Sequence, residues 1–337
     1  MAIIPTRPLG ISDLHLTPIG LGAWAIGGEW RFGWGPQEDA ESIATIRRAV
    51  EHGLNWIDTA AVYGLGHSEE VVGRALREIP RNDRPYVFTK CSLVWDESGN
   101  TSHNLAPQSI RKECEASLRR LETERIDLYQ IHWAAWHASP PDHDPGSIEE
   151  AWSTLVALKD EGKVASIGVS NFDVGQLQRI QRIETPASLQ PPYSMLRPEI
   201  EQELLPFCQQ HNIGVIPYSP MQSGLLSGKM TRERIASLPA GDWRRNNRFF
   251  QEPLLSKALS LVERLQGIGA RHGRTPGEVT IAWTLRHPAI TATIVGARKP
   301  NQVDELAGAL TFRLSKSEEE ELACYTNVTS ATSGYRQ

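Results

Sequence analysis

The chain has 337 residues, of which 40% are hydrophobic and 22% are charged. This composition is typical of a globular protein with a substantial buried core, and it argues against a disordered or fibrous chain. The formal net charge is -5, and no long run of Lys or Arg is present. We therefore expect a small-molecule partner, with no nucleic-acid or membrane surface.

Features of cellular location follow from the N-terminus and the cysteines. Residues Met1–Gly10 contain no apolar signal segment, and no later stretch approaches the roughly 20 apolar residues of a membrane span. The cysteines Cys91, Cys114, Cys208 and Cys324 lie far apart and show no metal-ligand spacing. These observations predict a cytoplasmic protein with reduced thiols and no metal. We expect a monomer or a weak homo-oligomer.

Short apolar runs alternate with amphipathic stretches, a pattern typical of repeated βα units. The predicted strands are Ile19–Gly22, Leu54–Asp58, Tyr86–Lys90, Ile126–His132, Ala165–Ser170, Ser188–Gln190, Ile213–Tyr218 and Thr293–Gly296. The predicted helices between them are Glu38–His52, Ser68–Arg77, Pro107–Leu121, Ile148–Glu161, Val174–Ile183, Ile200–His211 and Asn301–Ala309, with helix stops at Gly53, Gly162 and Gly214. Eight such strands predict an α/β fold, a single (β/α)8 TIM barrel over residues 1–337.

Two segments lie outside this repeat. Arg7–Leu9 and Leu14–Leu16 flank a turn and predict an N-terminal β-hairpin that covers the bottom of the barrel. Between the seventh and eighth strands, the long loop Met221–Phe250 precedes the helix candidates Leu254–His272 and Pro276–Arg286. Because loops of this length in a compact domain are usually functional, we expect this one to fold over a ligand.

Several apolar runs end in a polar residue. Asp58, Lys90 and His132 each end a predicted strand, and Tyr63 follows Asp58 by five residues. The carboxyl ends of all barrel strands lie on one face, so we expect these four side chains to converge there.

At this point the sequence strongly resembles the aldo-keto reductase family over almost its whole length, and within it the bacterial general-stress and sugar or polyol branch. The motifs that carry the resemblance are Gly20–Trp24, Asp58–Tyr63 with His67–Glu70, Phe88–Lys90, Gln130–Trp133, Gly168–Phe172, Leu189–Ser194, Tyr218–Pro220, Gly224–Lys229 and Gly296–Gln302.

The resemblance implies an enzyme with the catalytic tetrad Asp58, Tyr63, Lys90 and His132. A carbonyl that receives hydride needs a proton donor, and we expect that donor to be Tyr63. Lys90, held cationic by Asp58, would lower the pKa of Tyr63 by about 2, which corresponds to about 3 kcal/mol. Neutral His132 would donate a hydrogen bond to the carbonyl, while the hydride comes from a nicotinamide.

The resemblance also implies a cofactor site, in which Arg298, Lys299 and Gln302 would recognise the adenosine 2′-phosphate. The expected cofactor is therefore NADP(H). The full expected set is Gly22, Ala23, Trp24, Asp58, Ser170, Asn171, Gln190, Tyr218, Ser219, Pro220, Gly224, Leu225, Ser227, Lys229, Gly296, Arg298, Lys299, Gln302 and Glu305. Substrate contacts are expected from Trp24, Tyr63, Trp95, His132 and Trp133, with Trp30 or Trp34 as further candidates and Arg244, Arg245 and Arg248 as cofactor clamps.

Other interpretations of single motifs stay open. Asp58 and Lys90 alone could be a structural ion pair, and Ser170–Asn171 could cap the next helix. Gly20-x-Gly22-x-x-Ala25 matches a loose dinucleotide fingerprint, although the glycines that follow argue against an immediate helix. The histidines His132, His137 and His143 could suggest a metal site, but no carboxylate lies at suitable spacing.

Three functions are compatible with these residues. The first is an NADP(H)-dependent reductase of aldehydes, small hydroxyaldehydes, sugars or ketones, with an alcohol or polyol dehydrogenase favouring oxidation as a variant. The second is a regulatory subunit that senses the cofactor with little turnover. The third is an enzyme that uses Lys90 as a Schiff-base amine.

Overall fold

A computed structural model describes residues 4–30, 33–135, 145–239 and 241–330. Its main sheet has eight parallel strands: β1 Ile19–Gly22, β2 Trp56–Asp58, β3 Tyr86–Cys91, β4 Ile126–Ile131, β5 Val164–Ser170, β6 Ser188–Gln190, β7 Gly214–Val215 and β8 Thr293–Gly296. Neighbours pair in the order β7-β6-β5-β4-β3-β2-β1-β8. The sheet closes because Thr291 and Ile294 donate backbone hydrogen bonds of 2.9 Å to the carbonyls of Val215 and Pro217. The predicted (β/α)8 barrel is confirmed.

Helices follow the strands in turn. They are α1 Asp39–Glu51, α2 His67–Glu78, α3 Pro107–Leu121, α4 Ile148–Asp160, α5 Val174–Gln181, α6 Leu204–Gln210, α7 Arg232–Ala236, α8 Leu254–His272, α9 Pro276–Thr284, α10 Pro300–Asp304 and α11 Lys316–Ser330. Within the described ranges, no helix combines the length and apolar character that crossing a membrane requires.

The strand register sets the upper rim of the barrel. Asp58 at the end of β2 pairs with Gly22 at the end of β1, and Gln190 at the end of β6 pairs with Ser170 at the end of β5. Because all eight strands run in the same direction, their polar terminal residues project toward one mouth.

Two apolar layers support this rim. The barrel interior is filled by Trp56, Phe88, Leu128 and Ile216, all fully buried. A second and larger layer lies between the strands and the surrounding helices and includes the buried Trp152 and Trp283. The indole N–H of Trp56 donates to the carbonyl of Thr17 at 3.0 Å, so this large side chain is buried without an unpaired polar atom.

The N-terminal hairpin closes the lower end, as predicted. Arg7–Pro8 pairs antiparallel with His15–Leu16, and Leu9 and Leu16 join the interior cluster. At its turn, Gly10 has φ +53°, and a Cβ there would overlap the carbonyl oxygen of Ala187. Only glycine allows the hairpin to pack this closely against the barrel.

One of the three predicted helix stops was wrong. Gly53 and Gly162 adopt positive φ after α1 and α4, as expected, but Gly214 does not stop α6. Asn212 takes the left-handed conformation there (φ +52°), whereas Gly214 lies in β7 against Leu9, where a Cβ would not fit.

The predicted helix Ile200–His211 is divided into a 3-10 turn, Glu199–Glu201, and α6. Pro206 explains the division, because it has no N–H to bond the carbonyl of residue 202. The predicted helix Asn301–Ala309 is likewise divided into α10 and a 3-10 turn, Ala307–Leu310. A second hairpin, Leu93–Trp95 paired with Thr101–His103, was not predicted.

Gly20→Ala tests the interior packing, because a Cβ at this position would overlap the Trp56 indole. We expect the variant to lose about 1–3 kcal/mol of stability or more through overpacking, seen as a lower midpoint of urea denaturation by circular dichroism. The matched control is Gly267→Ala on the exposed face of α8, where nothing lies within 4 Å of the added Cβ. This control should gain about 0.5–1 kcal/mol. Equal midpoints for the two variants would contradict the packing described here.

Candidate active site

A buried ion pair lies at the centre of the barrel mouth. Lys90 Nζ donates to Asp58 Oδ2 at 2.7 Å and to the carbonyl of Thr59 at 2.8 Å. The other oxygen of Asp58 accepts a bond of 2.8 Å from Gln190 Nε2. Both charged side chains are almost fully buried, and these bonds offset the cost of removing them from water.

Tyr63 reaches the ion pair from a 3-10 turn, Tyr63–Gly66. Gly64 has φ +60°, and a Cβ there would overlap the backbone of Gly27, so glycine allows the turn to fold back over the mouth. Lys90 Nζ lies 5.2 Å from the centroid of the Tyr63 ring. The His132 ring lies 5.8 Å from it, edge to face. The structure thus brings the four predicted catalytic residues together.

The pKa of Tyr63 differs from the expectation. Burial, reinforced by the negative charge of Asp58, raises the pKa of Tyr63 well above its ordinary value. We had expected Lys90 to lower it, and the direction is the opposite. The physical reason is that burial disfavours the charged phenolate and that the negative charge of Asp58 disfavours it further. Asp58 also holds Lys90 in an ion pair at 2.7 Å.

Lys90 and His132 are shifted in the same direction. Burial lowers the pKa of Lys90 against the opposing effect of Asp58. Burial, followed by repulsion from Lys90 and His103, lowers the pKa of His132 well below its ordinary value. His132 is therefore a neutral imidazole at neutral pH and can donate a hydrogen bond, as the sequence suggested.

A second hydrogen-bond network continues from the tetrad across the ends of β5 to β7. Ser170 Oγ donates to the carbonyl of Gln190 at 2.8 Å, and Asn171 Nδ2 donates to Ser170 Oγ and to the carbonyl of His132, both at 3.0 Å. Tyr218 Oη donates to Asn171 Oδ1 at 2.9 Å. These bonds fix amide and hydroxyl groups at one wall of the mouth.

One cavity of about 650 Å³ joins this wall to the ends of β1, β7 and β8. Nineteen of the predicted site residues line it: Gly22, Trp24, Asp58, Tyr63, His132, Trp133, Ser170, Asn171, Gln190, Tyr218, Ser219, Pro220, Gly224, Ser227, Lys229, Gly296, Arg298, Gln302 and Glu305. Its size suits a ligand larger than the substrate alone.

Five predicted site residues do not line the cavity. Lys90 lies behind Asp58, and Ala23 and Leu225 are buried. Lys299 is largely exposed, with its amine 3.3 Å from Glu41. Trp95 lies on the second hairpin with the Arg120 guanidinium 5.8 Å from its ring, and it is not among the residues that line the cavity.

The long loop Met221–Phe250 lies against the cavity. Met221, Met230, Arg234 and Arg244 line the cavity, whereas Arg245 donates to the carbonyl of Leu238 and lies outside it. Further lining residues that we had not singled out are Val62, Leu93, Thr101, Gln266 and Thr275. Leu93 and Thr101 lie on the second hairpin, Gln266 lies in α8, and Val62 and Thr275 lie in connecting segments. No sequence signal placed them at the mouth.

The structure decides two of the open interpretations. Asp173, with Gln176, forms the capping box of α5, so the interpretation of Ser170–Asn171 as a helix cap was wrong. A 3-10 turn, Trp24–Gly27, follows β1, and α1 begins only at Asp39, which excludes the Rossmann interpretation of Gly20–Ala25. His137 and His143 lie outside the described residues.

Comparison with known proteins gives consistent relatives. The Aldo/keto reductase family model matches residues 18–324. An NADH-specific methylglyoxal reductase of Escherichia coli (strain K12) is 37% identical over 322 residues, covering 92% of this chain and 95% of that protein.

Two solved structures are similar over nearly the full length. The glycerol dehydrogenase AKR11B4 from Gluconobacter oxydans has a TM-score of 0.86 and 36% identity, covering 100% of this chain and 99% of its own. An aldo/keto reductase from Klebsiella pneumoniae in complex with NADP and acetate has a TM-score of 0.69 and 27% identity, covering 95% and 94%. The chain therefore belongs to the aldo/keto reductase family, and its fold and chemistry are those of an oxidoreductase for carbonyl compounds.

Proposed function

We propose that this chain is an NADP(H)-linked reductase that converts aldehydes, small hydroxyaldehydes or sugars, or ketones into alcohols, reversibly. The observation that carries the proposal is the position of Tyr63, which faces the large cavity with neutral His132 beside it and Lys90 behind it. A protonated phenol and a neutral imidazole are both donors, and donors are what a carbonyl requires as negative charge develops on its oxygen.

The cavity lining is compatible with a dinucleotide. Ser170, Asn171 and Gln190 present the donors and acceptors that a nicotinamide carboxamide needs, and Tyr218 offers a flat ring beside them. Gly224 has φ +87°, and no atom lies within 4 Å of the position that a Cβ would take there. The backbone at Gly224 can therefore approach a pyrophosphate closely. When bound, the nicotinamide supplies the hydride.

The chain's own residues handle the proton. Tyr63 stays protonated because burial and Asp58 raise its pKa, and it gives its proton to the substrate oxygen. Lys90 then faces a developing phenolate and stabilises it, since Asp58 already holds the ammonium in place. His132 donates to the same oxygen and orients the carbonyl. Trp24, Trp30 and Trp133 limit water around the reacting atoms.

The preference for NADP(H) rests on Arg298, Lys299 and Gln302 after β8. Arg298 and Gln302 line the far end of the cavity, and Lys299 adds a second cation beside them. Two cations suit a 2′-phosphate, which NAD lacks. The Klebsiella pneumoniae relative was solved in complex with NADP, whereas the Escherichia coli relative is named as NADH-specific. The two relatives thus differ in cofactor, and a comparison of NADPH with NADH on this chain tests its own preference.

Three alternatives are weaker than this proposal. A Schiff-base role for Lys90 is disfavoured because the amine is buried, bonded to Asp58 and Thr59, and absent from the cavity lining. A cofactor sensor would bind the cofactor tightly but show almost no steady-state turnover with a reactive aldehyde, whereas the reductase would turn over. Oxidation as the main direction has support from the name of the Gluconobacter oxydans glycerol dehydrogenase.

Tyr63→Phe removes the proton donor and keeps the ring. We expect kcat for methylglyoxal reduction to fall by at least about a hundredfold, because general acid catalysis typically contributes 10²–10⁴. Binding of NADPH, followed by fluorescence, should remain within about twofold of the wild type, since the hydroxyl does not hold the cofactor in this account. Turnover by Tyr63→Phe at the wild-type rate would rule out Tyr63 as the donor.

The pH dependence of kcat/KM follows from the shifted pKa values of Tyr63 and His132. Tyr63 loses its proton only above its ordinary pKa, and His132 gains one only below its ordinary pKa. Reduction should therefore show constant kcat/KM from about pH 6 to about pH 7.5. Alcohol oxidation, which needs the phenolate, should rise with pH over the same interval. An inflection of the reduction profile near the ordinary pKa of histidine would show that His132 titrates, against this account.

Lys299→Ala tests the cofactor preference. Loss of this largely exposed cation should reduce the ratio of kcat/KM for NADPH to that for NADH by about three- to tenfold. Parallel steady-state assays with both cofactors measure this ratio. A wild-type ratio below one, unchanged in the variant, would show that NADH is the preferred cofactor.

A further inference from the structure

The Arg298 guanidinium is already bonded to another segment of the chain. Its Nε donates to Gln37 Oε1 at 2.8 Å, Nη1 donates to the carbonyl of Trp34 at 3.1 Å, and Nη2 donates to the carbonyl of Pro36 at 2.5 Å. Gln37 Nε2 returns a bond of 3.0 Å to the carbonyl of Arg298. Four hydrogen bonds thus tie the end of β8 to residues 34–37, more than 260 positions away in the sequence.

The acceptors are neutral, so the positive charge is not cancelled. Among the described residues, no carboxylate oxygen lies within 4.0 Å of the Arg298 guanidinium. Three of its five N–H groups serve residues 34–37, which leaves two for a further acceptor. The same side chain can therefore hold this segment and still contact an anion in the cavity.

The segment held by Arg298 carries an aromatic wall of the cavity. Trp34 lines the cavity and packs edge to face against Trp24, with ring centroids 6.0 Å apart, and against Trp243 at 6.2 Å. The Arg244 guanidinium lies 4.5 Å from the Trp34 ring centroid, at a distance typical of a cation–π contact. Trp24 in turn follows β1 beside the tetrad strand β2.

Trp34 does not fix its own position by a hydrogen bond. Its indole N–H is buried and has no acceptor among the described residues. A buried donor without a partner costs free energy, so the orientation of this ring depends on its packing and on the backbone bonds from Arg298.

We propose that Arg298 is a positioning residue for the substrate cavity: it holds the Trp34 wall in place, whichever cofactor is bound. The inference rests on the proposed reductase function. It gives Arg298 a second role, positioning of the Trp34 wall, besides contact with a 2′-phosphate. Arg298 links the adenosine end of the cavity to the aromatic wall near the tetrad, so loss of its planar fork loosens that wall.

NADH separates the two roles because it carries no 2′-phosphate. With saturating NADH and methylglyoxal as the probe, Arg298→Ala should raise the KM for methylglyoxal by at least about fivefold, as expected for loss of charge-assisted bonds. Arg298→Lys keeps the cation but not the fork and should show a similar increase. Gln37→Ala removes two of the four bonds without touching the charge, and it should raise the KM in the same direction.

The matched control is Arg111→Ala, which removes an exposed arginine bonded to Glu161 on the outer surface. Its kinetics with NADH should equal those of the wild type. A role limited to the 2′-phosphate makes a different prediction: Arg298→Ala would then change kinetics with NADPH only, and an unchanged KM with NADH in both Arg298→Ala and Gln37→Ala overturns the proposal.

A measurement without cofactor or turnover separates this inference from the proposed function. Acrylamide quenching of tryptophan fluorescence should increase in Arg298→Ala relative to the wild type, and the increase should disappear in a Trp34→Phe background. Absence of methylglyoxal reduction by the wild type with either cofactor would count against the reductase, while the quenching comparison would still test the wall. Equal quenching of Arg298→Ala and the wild type overturns the positioning role.

Discussion

The buried contact between Lys90 and Asp58 governs the chemistry of the barrel mouth. Two opposite charges in a site closed to water are costly unless their remaining hydrogen-bonding groups are satisfied, and here Thr59 and Gln190 provide those partners. The pair leaves little net charge at the centre. Burial therefore dominates the pKa of Tyr63 and of His132, and both remain neutral donors at neutral pH.

The rest of the fold holds this pair in register. The interior cluster beneath it, with Trp56 against Gly20, fixes the height at which β2 delivers Asp58. The close approach of Gly64 to Gly27 brings Tyr63 back over the mouth. Rigid strands thus supply the ion pair, and a glycine-dependent turn supplies the proton donor, a division of labour common in barrel enzymes.

The barrel and the position of the tetrad were predictable from the sequence, because a strand end is visible as an apolar run that stops at a polar residue. An apolar run that stops at Asp58 or Lys90 identifies both the strand and the face on which the side chain lies. The division of the predicted helix Ile200–His211 was missed although Pro206 signals it locally. The role of Gly214 in β7 was missed because it depends on the packing of a neighbouring element. Position 214 requires glycine because Leu9 packs against its backbone. The local sequence pattern does not indicate that contact.

Some features of the site also could not be predicted from the sequence, because they depend on contacts between distant segments. Trp95 and Trp34 look alike in the sequence, yet only Trp34 reaches the cavity, because Arg298 ties its segment to the end of β8. The direction of the Tyr63 pKa was also mispredicted. Spacing indicates which groups meet, but the sign of a pKa shift depends on how completely Asp58 compensates Lys90 and how deeply the phenol is buried.

The most direct test of this balance is a titration of Tyr63 itself, by NMR of tyrosine labelled with carbon-13 at the ring, in the wild type and in Asp58→Asn without ligand. The account predicts a phenol that titrates above its ordinary pKa in the wild type and at lower pH in the variant, where the charge of Lys90 is no longer offset. A wild-type phenol that titrates below its ordinary pKa would contradict it.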